Sequence, residues 1–240
     1  MRKDPRPYLV RRLRDGFDRL RARHFLEPQF ESIGAGLDVS YPRGIELWGA
    51  NIHAGICLHL RASRGHMIRL STWDSGTRVG EIHIGDHVLI SPGNQIIASE
   101  KITIGSNTML ASGCYISDSD WHDTYDRTAE LEKHAPVVLG ENVWLGVHVI
   151  VGKGVTIGDN SIIGAGSVVV NDIPANVIAA GNPAKVVKAL DPGKTFRKRE
   201  ALFGDTDKLV AEMNQLQKYL LRNNTYWTWL RSIFAPSRKD

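Results

Sequence analysis

The sequence is poor in cysteine and has no long apolar run. Cys57 and Cys114 are its two cysteines among 240 residues, and neither stands in a metal or redox spacing. Two thiols do not indicate a disulfide-stapled fold, so we expect a reducing compartment. No run of about 18 apolar residues exists to span a bilayer, and the first residues lack the apolar core of a signal peptide. We therefore expect a cytoplasmic protein.

Positive charge is concentrated at the N-terminus. Residues 1–24 contain nine Lys or Arg against three Asp, within a chain of net charge +4. Over residues 8–26, Leu9, Leu13, Phe17 and Leu20 follow helical spacing, which predicts a basic amphipathic helix. Such a helix suits nucleic acid or an anionic membrane, or it presents a solvated basic face while packing on the protein.

An aliphatic residue returns every sixth position late in the chain. These positions are Leu139, Leu145, Val151, Ile157, Ile163 and Val169, and a glycine follows each of the first five. A period of six is neither the two of an isolated strand nor the 3.6 of a helix. It predicts an all-β solenoid in which each hexapeptide forms one short β-segment and one turn, with three hexapeptides per coil.

The repeat divides the chain into three parts. Residues 1–30 form the basic helix, residues 31–190 the solenoid, and residues 191–240 a helical tail with an aromatic stretch at 226–234. Between residues 31 and 80 the phase is unsteady, which predicts irregular early coils. The phase improves from Ile84 and then breaks at a polar loop, residues 117–136. Loops of this length in compact folds are more often functional than accidental.

His122 is the sharpest candidate for chemistry, because counting six from Ile116 places a titratable ring where an aliphatic residue is due. A histidine with a pKa near 6.5 is suited to take a proton from a hydroxyl at neutral pH. The alternative is a surface histidine without a role. Asp118, Asp120, Trp121 and Asp123 flank it, and a carboxylate there would fix its tautomer.

The stretches YISDSDWHDTYDR and NVWLGVHVIVGKGVTIGDNSIIGAGSVVVNDIPANVIAAGNPAKVVK resemble the left-handed β-helix hexapeptide acyltransferases. The similarity is to maltose, galactoside and xenobiotic O-acetyltransferases and their polysaccharide-modifying relatives, over about residues 80–190. This resemblance implies a left-handed parallel β-helix with flanking N- and C-terminal α-helices. It also implies a homotrimer, acetyl-CoA as acyl donor, no metal, and an active site between adjacent prisms.

The resemblance also implies roles for particular residues. His122 matches the catalytic general base, and Asn94, with Asp120 and Trp121, is assigned to the acceptor. Asn94 has a structural alternative, an amide that hydrogen-bonds backbone at a coil corner. The coenzyme A donor is assigned to residues that are aromatic, small or basic: Trp144, Gly146, Gly164, Ala165, Ala180, Gly181, Lys185 and Lys188. For Trp144 the alternative is subunit packing, for the glycines the needs of a turn, and for Lys188 a solvated side chain.

These residues predict an O-acetyltransferase acting on a hydroxyl of a sugar, a polysaccharide or a lipid-linked glycan precursor. We expect coenzyme A and such an acceptor as partners, no nucleic acid, and location at the inner face of the membrane if residues 1–26 or 226–234 contact lipid. Three alternatives stay open: N-acylation of an amino sugar, a non-catalytic scaffold, and a γ-carbonic-anhydrase-like zinc site. The zinc site would need three histidines that converge across neighbouring subunits, and the candidates are His83, His87, His122, His134 and His148.

Overall fold

The computed structural model describes residues 4–74, 78–128, 133–204 and 206–235. By its contacts the chain forms two compact units. One unit is Arg21–Glu200, and the other combines Met1–Leu20 with Ala201–Asp240. Each unit is described by itself.

The terminal unit is helical. Helix α1 spans Tyr8–Arg21, α2 spans Thr206–Leu220 and α3 spans Tyr226–Phe234. Asn224 lies between α2 and α3, and its side-chain Nδ2 donates to the backbone oxygens of Asp4 and Arg6, so the two ends of the chain are joined. Within the described ranges, no helix has both the length and the apolar character needed to cross a membrane.

The second unit begins with a π-helical turn at Ala22–Leu26 and a 3-10 turn at Glu27–Gln29. Short 3-10 turns also lie at Pro42–Gly44 and Arg199–Leu202. The remaining elements are short strands: β1 (Ser32–Ile33), β2 (Asp38–Ser40), β3 (Ile45–Trp48), β4 (Ile52–Ala54), β5 (His59–Arg61), β6 (Ile68–Thr72), β7 (Glu81–Ile84), β8 (Leu89–Ile90), β9 (Gln95–Ala98), β10 (Lys101–Ile104), β11 (Met109–Leu110), β12 (Tyr115–Ser117), β13 (Val137–Leu139), β14 (Trp144–Leu145), β15 (Ile150–Val151), β16 (Thr156–Ile157), β17 (Ile162–Ile163), β18 (Val168–Val169), β19 (Val177–Gly181) and β20 (Ala184–Ala189).

The strands form three sheets in which each strand from β1 to β15 pairs with the third strand after it along the chain. Sheet A has the order β1-β4-β7-β10-β13-β16, and sheet C has β3-β6-β9-β12-β15-β18. Sheet B has the order β2-β5-β8-β11-β14-β17-β19-β20, and its pairs are parallel except for β19 with β20. Each coil of about 18 residues therefore gives one strand to each sheet. This connectivity is consistent with the predicted β-helix of three hexapeptides per coil.

The aliphatic positions of the repeat stack on one another in register. Leu110 pairs with Leu145 and Leu145 with Ile163, and all three side chains are fully buried. Burying a side chain of this size stabilises a fold by roughly 1.5–3 kcal/mol, so the stacked columns supply the core. The six-residue period is thus the spacing between neighbouring faces of the coil.

The early coils are irregular in their connections but regular in their strand pairing. Strands β1–β6 occupy the same three sheets as the later strands, with Ile52 paired to Ile82 and Leu70 paired to Ile96. The phase is lost in the sequence because two connections in this part of the chain are longer than four residues, at 62–67 and 73–80. The register is restored in the structure because the buried side chains still stack.

The three corners of the coil differ in length. All six described connections from sheet A to sheet B, the first corner, contain four residues, and so do five of the six from B to C, the second corner. The third residue of such a turn adopts a positive φ, as at Asn107 and Asn142, except in the turn 41–44, where Tyr41 does so. Connections from C to A, the third corner, vary from two residues (99–100) to the loop at 118–136.

Candidate active site

The polar loop leaves the solenoid at the third corner, after β12. Its two ends are joined at a neck, where Ser119 and His134 form an antiparallel bridge and the Ala135 N–H donates to the Asp118 carbonyl oxygen at 2.9 Å. The Asp120 N–H donates to the Lys133 carbonyl oxygen at 3.2 Å. Residues 120–128 and 133 therefore extend from a fixed base, and residues 129–132 lie outside the described ranges.

Asp118 anchors this base to the coil before it. Its carboxylate is fully buried and accepts hydrogen bonds from the backbone N–H groups of Ser99 (2.7 Å) and Glu100 (2.8 Å). Burial raises the pKa of the Asp118 carboxyl, while these N–H donors act to lower it. Ser99 and Glu100 are the two-residue connection between β9 and β10, so the carboxylate satisfies backbone donors that the turn leaves unpaired.

Trp121 is held in an unusual backbone conformation beside His122. Its φ is +62°, a region that bulky residues rarely adopt and that costs roughly 1–3 kcal/mol. The Trp121 N–H donates to Ser119 Oγ at 3.1 Å, and the indole Nε1 donates to Ser117 Oγ at 3.2 Å. The ring also meets that of Trp73 edge to face, with centroids 5.7 Å apart. These contacts fix the residue that precedes His122.

His122 follows Trp121 directly and is exposed. The acidic residues on either side of it form ion pairs, Asp120 with Lys153 and Asp123 with Lys133. The Lys133 ammonium, 2.5 Å from Asp123, holds the pKa of that carboxyl well below its usual range. The imidazole is thus presented to solvent on a segment whose charged neighbours are paired.

Asn94, assigned to the acceptor from the sequence, lies inside the fold. Asn94 ends a second-corner turn and is fully buried. Its Nδ2 donates to the backbone oxygens of Ser91 (2.7 Å) and Ala111 (2.8 Å) in two successive coils. These contacts of Nδ2 favour the structural alternative, and the assignment of Asn94 to the acceptor stays a prediction.

The residues assigned to coenzyme A lie along the second corner and the sheet beside it. Trp144 points outward from β14 and is 47% exposed, as its place before a buried repeat residue predicts. Gly146 lies against the next coil, because a Cβ there would be 2.6 Å from the Ala165 backbone nitrogen. Gly164 meets the Cβ of Ala180 in the same way, at 2.9 Å. The structure therefore brings these small residues together in one column.

The basic residues of this set lie on the last strand. In the β19–β20 pair, Ala180 is opposite Lys185 and Ile178 is opposite Lys188. Both lysines are exposed, and Gly181 begins the turn between the strands with φ +107°. The lysines thus stand on the strand of sheet B that pairs with the strand carrying Ala180 and Gly181.

Within one chain, His122 and this column do not meet. The loop with His122 connects sheet C to sheet A, whereas Gly146 and Ala165 connect sheet B to sheet C. Sequence reasoning missed Trp73 and Lys153, which contact the loop from other connections. The one sequence signal for Trp73 is that a tryptophan stands in a polar connection. Nothing in the sequence indicates that Lys153 pairs with Asp120.

The histidines proposed for zinc are dispersed. His83 lies on sheet A and hydrogen-bonds Glu81 at 3.0 Å, while His87 and His148 stand in turns of the first and second corners. Among residues 4–74, 78–128, 133–204 and 206–235, no three His, Cys, Asp or Glu side chains are grouped to hold a metal ion.

The repeat region matches a known family. Residues 136–171 match the family model described as bacterial transferase hexapeptide (six repeats), which confirms the resemblance noted in the sequence. The galactoside O-acetyltransferase of Escherichia coli K12 is 40% identical over 112 residues, 46% of this chain and 55% of that protein. The polysialic acid O-acetyltransferase of E. coli O1:K1 is 31% identical over 148 residues, 60% of this chain and 45% of that protein.

The chain thus spans about half the length of these curated relatives. Among solved structures, a maltose O-acetyltransferase from Clostridium difficile 630 is 25% identical and covers 77% of this chain and 88% of its own, with a TM-score of 0.36.

Proposed function

We propose that the protein transfers an acetyl group from acetyl-CoA to a hydroxyl of a sugar, a polysaccharide or a lipid-linked glycan precursor, because residues 136–171 match the bacterial transferase hexapeptide model. The observation that carries this proposal is the third-corner loop, which interrupts the repeat and presents His122 on a fixed base. The names of the relatives support the reaction class.

In the proposed reaction, His122 is the general base. Its imidazole takes the proton of the acceptor hydroxyl as the hydroxyl oxygen forms a bond to the thioester carbonyl carbon. The tetrahedral intermediate then collapses with cleavage of the C–S bond, and the imidazolium returns its proton to the departing thiolate. The products are an acetyl ester and free coenzyme A, so atoms and charge balance without another reactant.

The donor would lie along the second-corner column. Trp144 would flank the acetyl group, and the small residues would admit the pantetheine arm: Gly146, Gly164, Ala165, Ala180 and Gly181. Lys185 and Lys188 would meet the nucleotide phosphates as point charges. This fit is supported by the exposure of Trp144 and of both lysines. Asp120 and Trp121, beside the base, would contact the acceptor.

We propose a homotrimer of left-handed β-helices with the active site between neighbouring copies. Support comes from the separation of the His122 loop and the donor column at different corners of one chain, since a second copy can bring the two together. Light scattering should then give three times the 26.6 kDa mass of the chain.

The helical unit would contact anionic lipid at the inner face of the membrane. On α1, Leu9, Leu13, Phe17 and Leu20 are each more than half exposed, beside basic side chains. The full chain should cosediment with phosphatidylglycerol vesicles and not with phosphatidylcholine vesicles. Replacing Leu13 and Phe17 by Ser should abolish this binding, while Met213→Ser on α2, an exposed control, should preserve it.

The deciding experiment for the reaction is His122→Ala, assayed by release of free coenzyme A with a panel of glycosides. We expect turnover to fall by about 10²–10⁴-fold, because that is the usual contribution of a general base. His66→Ala, at an exposed second-corner histidine, is the matched control. Undiminished transfer in His122→Ala would refute the mechanism, and transfer to amino sugars alone would replace O- by N-acylation.

A further inference from the structure

Two tryptophans from separate connections meet at the third corner. Trp73 is the first residue of the connection between β6 and β7, and Trp121 lies in the loop after β12. Their rings are 5.7 Å apart at an interplanar angle of 68°, an edge-to-face pair. Trp73 keeps 47% of its surface exposed. The pair therefore offers an open aromatic face one residue from His122.

The backbone beneath both rings is fixed. The Trp73 N–H donates to the Ala98 carbonyl oxygen at 2.9 Å, and the Trp73 carbonyl oxygen accepts from the Gly80 N–H at 2.9 Å. Trp121 is held through Ser117 and Ser119 despite its positive φ. Residues kept in sparsely populated conformations cluster at ligand sites. A core role does not account for the pair, because both tryptophans lie outside the buried set.

Two carboxylates stand on the same loop as Trp121. Asp120 and Asp123 are partly exposed, and each pairs with a lysine and keeps acceptor capacity. Exposed aromatic rings on a connection that also carries carboxylates match a pyranose ring, which has C–H groups on its faces and hydroxyls on its edge. The C–H groups meet the electron-rich indole face, and the hydroxyls donate to the carboxylates.

We propose that Trp73 and Trp121 form a stacking platform for a pyranose ring of the acceptor and hold a ring hydroxyl beside His122. This inference rests on the proposed function and narrows its substrate class to cyclic sugars. It assigns acceptor binding to Trp73, on a connection distant in sequence from the catalytic loop.

The test uses the full chain, the variants Trp73→Ala and Trp73→Phe, and Trp227→Ala as a matched control at an exposed tryptophan of α3. The probes are methyl pyranosides of galactose, glucose and N-acetylglucosamine, with galactitol and glucitol as acyclic controls. Saturation-transfer NMR measures ring binding without turnover. Coenzyme A release at saturating acetyl-CoA then measures KM and kcat for each acceptor.

We expect Trp73→Ala to raise KM for the preferred pyranoside about tenfold, to leave kcat within about twofold, and to leave the alditols unaffected. Trp73→Phe should be intermediate, and Trp227→Ala unchanged. Equal effects on pyranoside and alditol, or no saturation transfer to ring protons of the wild-type protein, would overturn the platform. So would a change of oligomeric mass in Trp73→Ala, since the rings would then form a subunit contact. Ring binding without any acetyl transfer would sustain the platform and refute the proposed function alone.

Discussion

The first and second corners of the coil contrast with the third. At the first two, a four-residue turn recurs almost without exception. Each first-corner turn opens with a glycine that lies against the next coil. Gly105 is an example, because a Cβ there would stand 2.4 Å from the Gly140 carbonyl oxygen. At the third corner the connections have no common length, and side chains such as Trp73 and Trp121 fill the extra space. The repeated four-residue turns thus pack neighbouring coils against one another. The third-corner connections, which do not repeat, leave the space that a ligand would need.

This contrast explains why Asn94 is buried and bonded to backbone. The residue belongs to a second-corner turn, where side chains turn inward and satisfy the backbone of neighbouring coils. Asp120, Trp121 and His122 belong to the third corner, where the chain leaves the solenoid. Whether a residue lies in a regular turn or in the loop that interrupts the repeat therefore separates structural from candidate functional residues better than its residue type does.

The largest expected effect is in the stacked core. Ile163→Ala should lower the free energy of unfolding by about 2–5 kcal/mol, because it leaves a cavity in a fully buried column. Urea denaturation measures the change, with Val170→Ala, which is 54% exposed, as the control. Similar losses in both variants would mean that the columns do not carry the stability.

A glycine pair tests the turns directly. Gly146→Ala at the second corner should destabilise the protein by roughly 1–3 kcal/mol, since its Cβ would lie within 3 Å of the next coil's backbone. Gly152→Ala at the third corner should be tolerated, because the nearest atom to its Cβ would be 3.6 Å away. If thermal unfolding midpoints fell equally, the contrast between these corners would be lost.

His59, which follows a first-corner turn, should make the stability of the protein depend on pH. Lys198 pairs with Glu141 at 2.8 Å, and the Arg199 Nε donates to the His87 carbonyl oxygen at 2.8 Å, so residues 198 and 199 cover first-corner turns. Burial, with Arg61 and Arg199 nearby, lowers the pKa of His59 to about 4. Because the ordinary value is about 6.5, the unfolded chain binds the proton first as pH falls.

Stability should therefore decline between pH 6.5 and 4, by at most about 1.4 kcal/mol per pH unit from this one group. His59→Gln should flatten the stability–pH curve in that window, measured by urea denaturation at each pH. His66→Gln, at an exposed histidine, serves as the control. An unchanged slope in His59→Gln would show that the proton is taken up elsewhere.

The smallest effect on stability is expected at the third-corner ion pair. Lys153→Met removes the partner of Asp120, and exposed pairs contribute about 0–1 kcal/mol. The loop should nevertheless open more often, so trypsin should cut after the exposed Arg127 several-fold faster. Lys198→Met, which removes the first-corner pair with Glu141, should leave this rate unchanged. Equal cleavage in both variants would contradict a local role for Lys153.

The repeat period predicted the sheets and the buried columns, because stacked coils require an aliphatic residue at each sixth position. It failed between residues 31 and 80, where two long connections shift the phase while Ile52 and Leu70 keep their register. The loop was also located from sequence, since the phase breaks there. The contacts that anchor the loop were not predicted. Asp118, Trp73 and Lys153 make these contacts between different coils, and such contacts leave no periodic signal in the sequence.

The reversal at the end of sheet B has a consequence for solubility. Strand β20 runs antiparallel to β19 and covers what would otherwise be an unpaired parallel edge. Unpaired edges recruit further strands and promote aggregation, and edge lysines oppose this by charge repulsion. Lys185 and Lys188 stand on that outermost strand. We therefore expect the β19–β20 hairpin to prevent strands of other chains from pairing with the sheet.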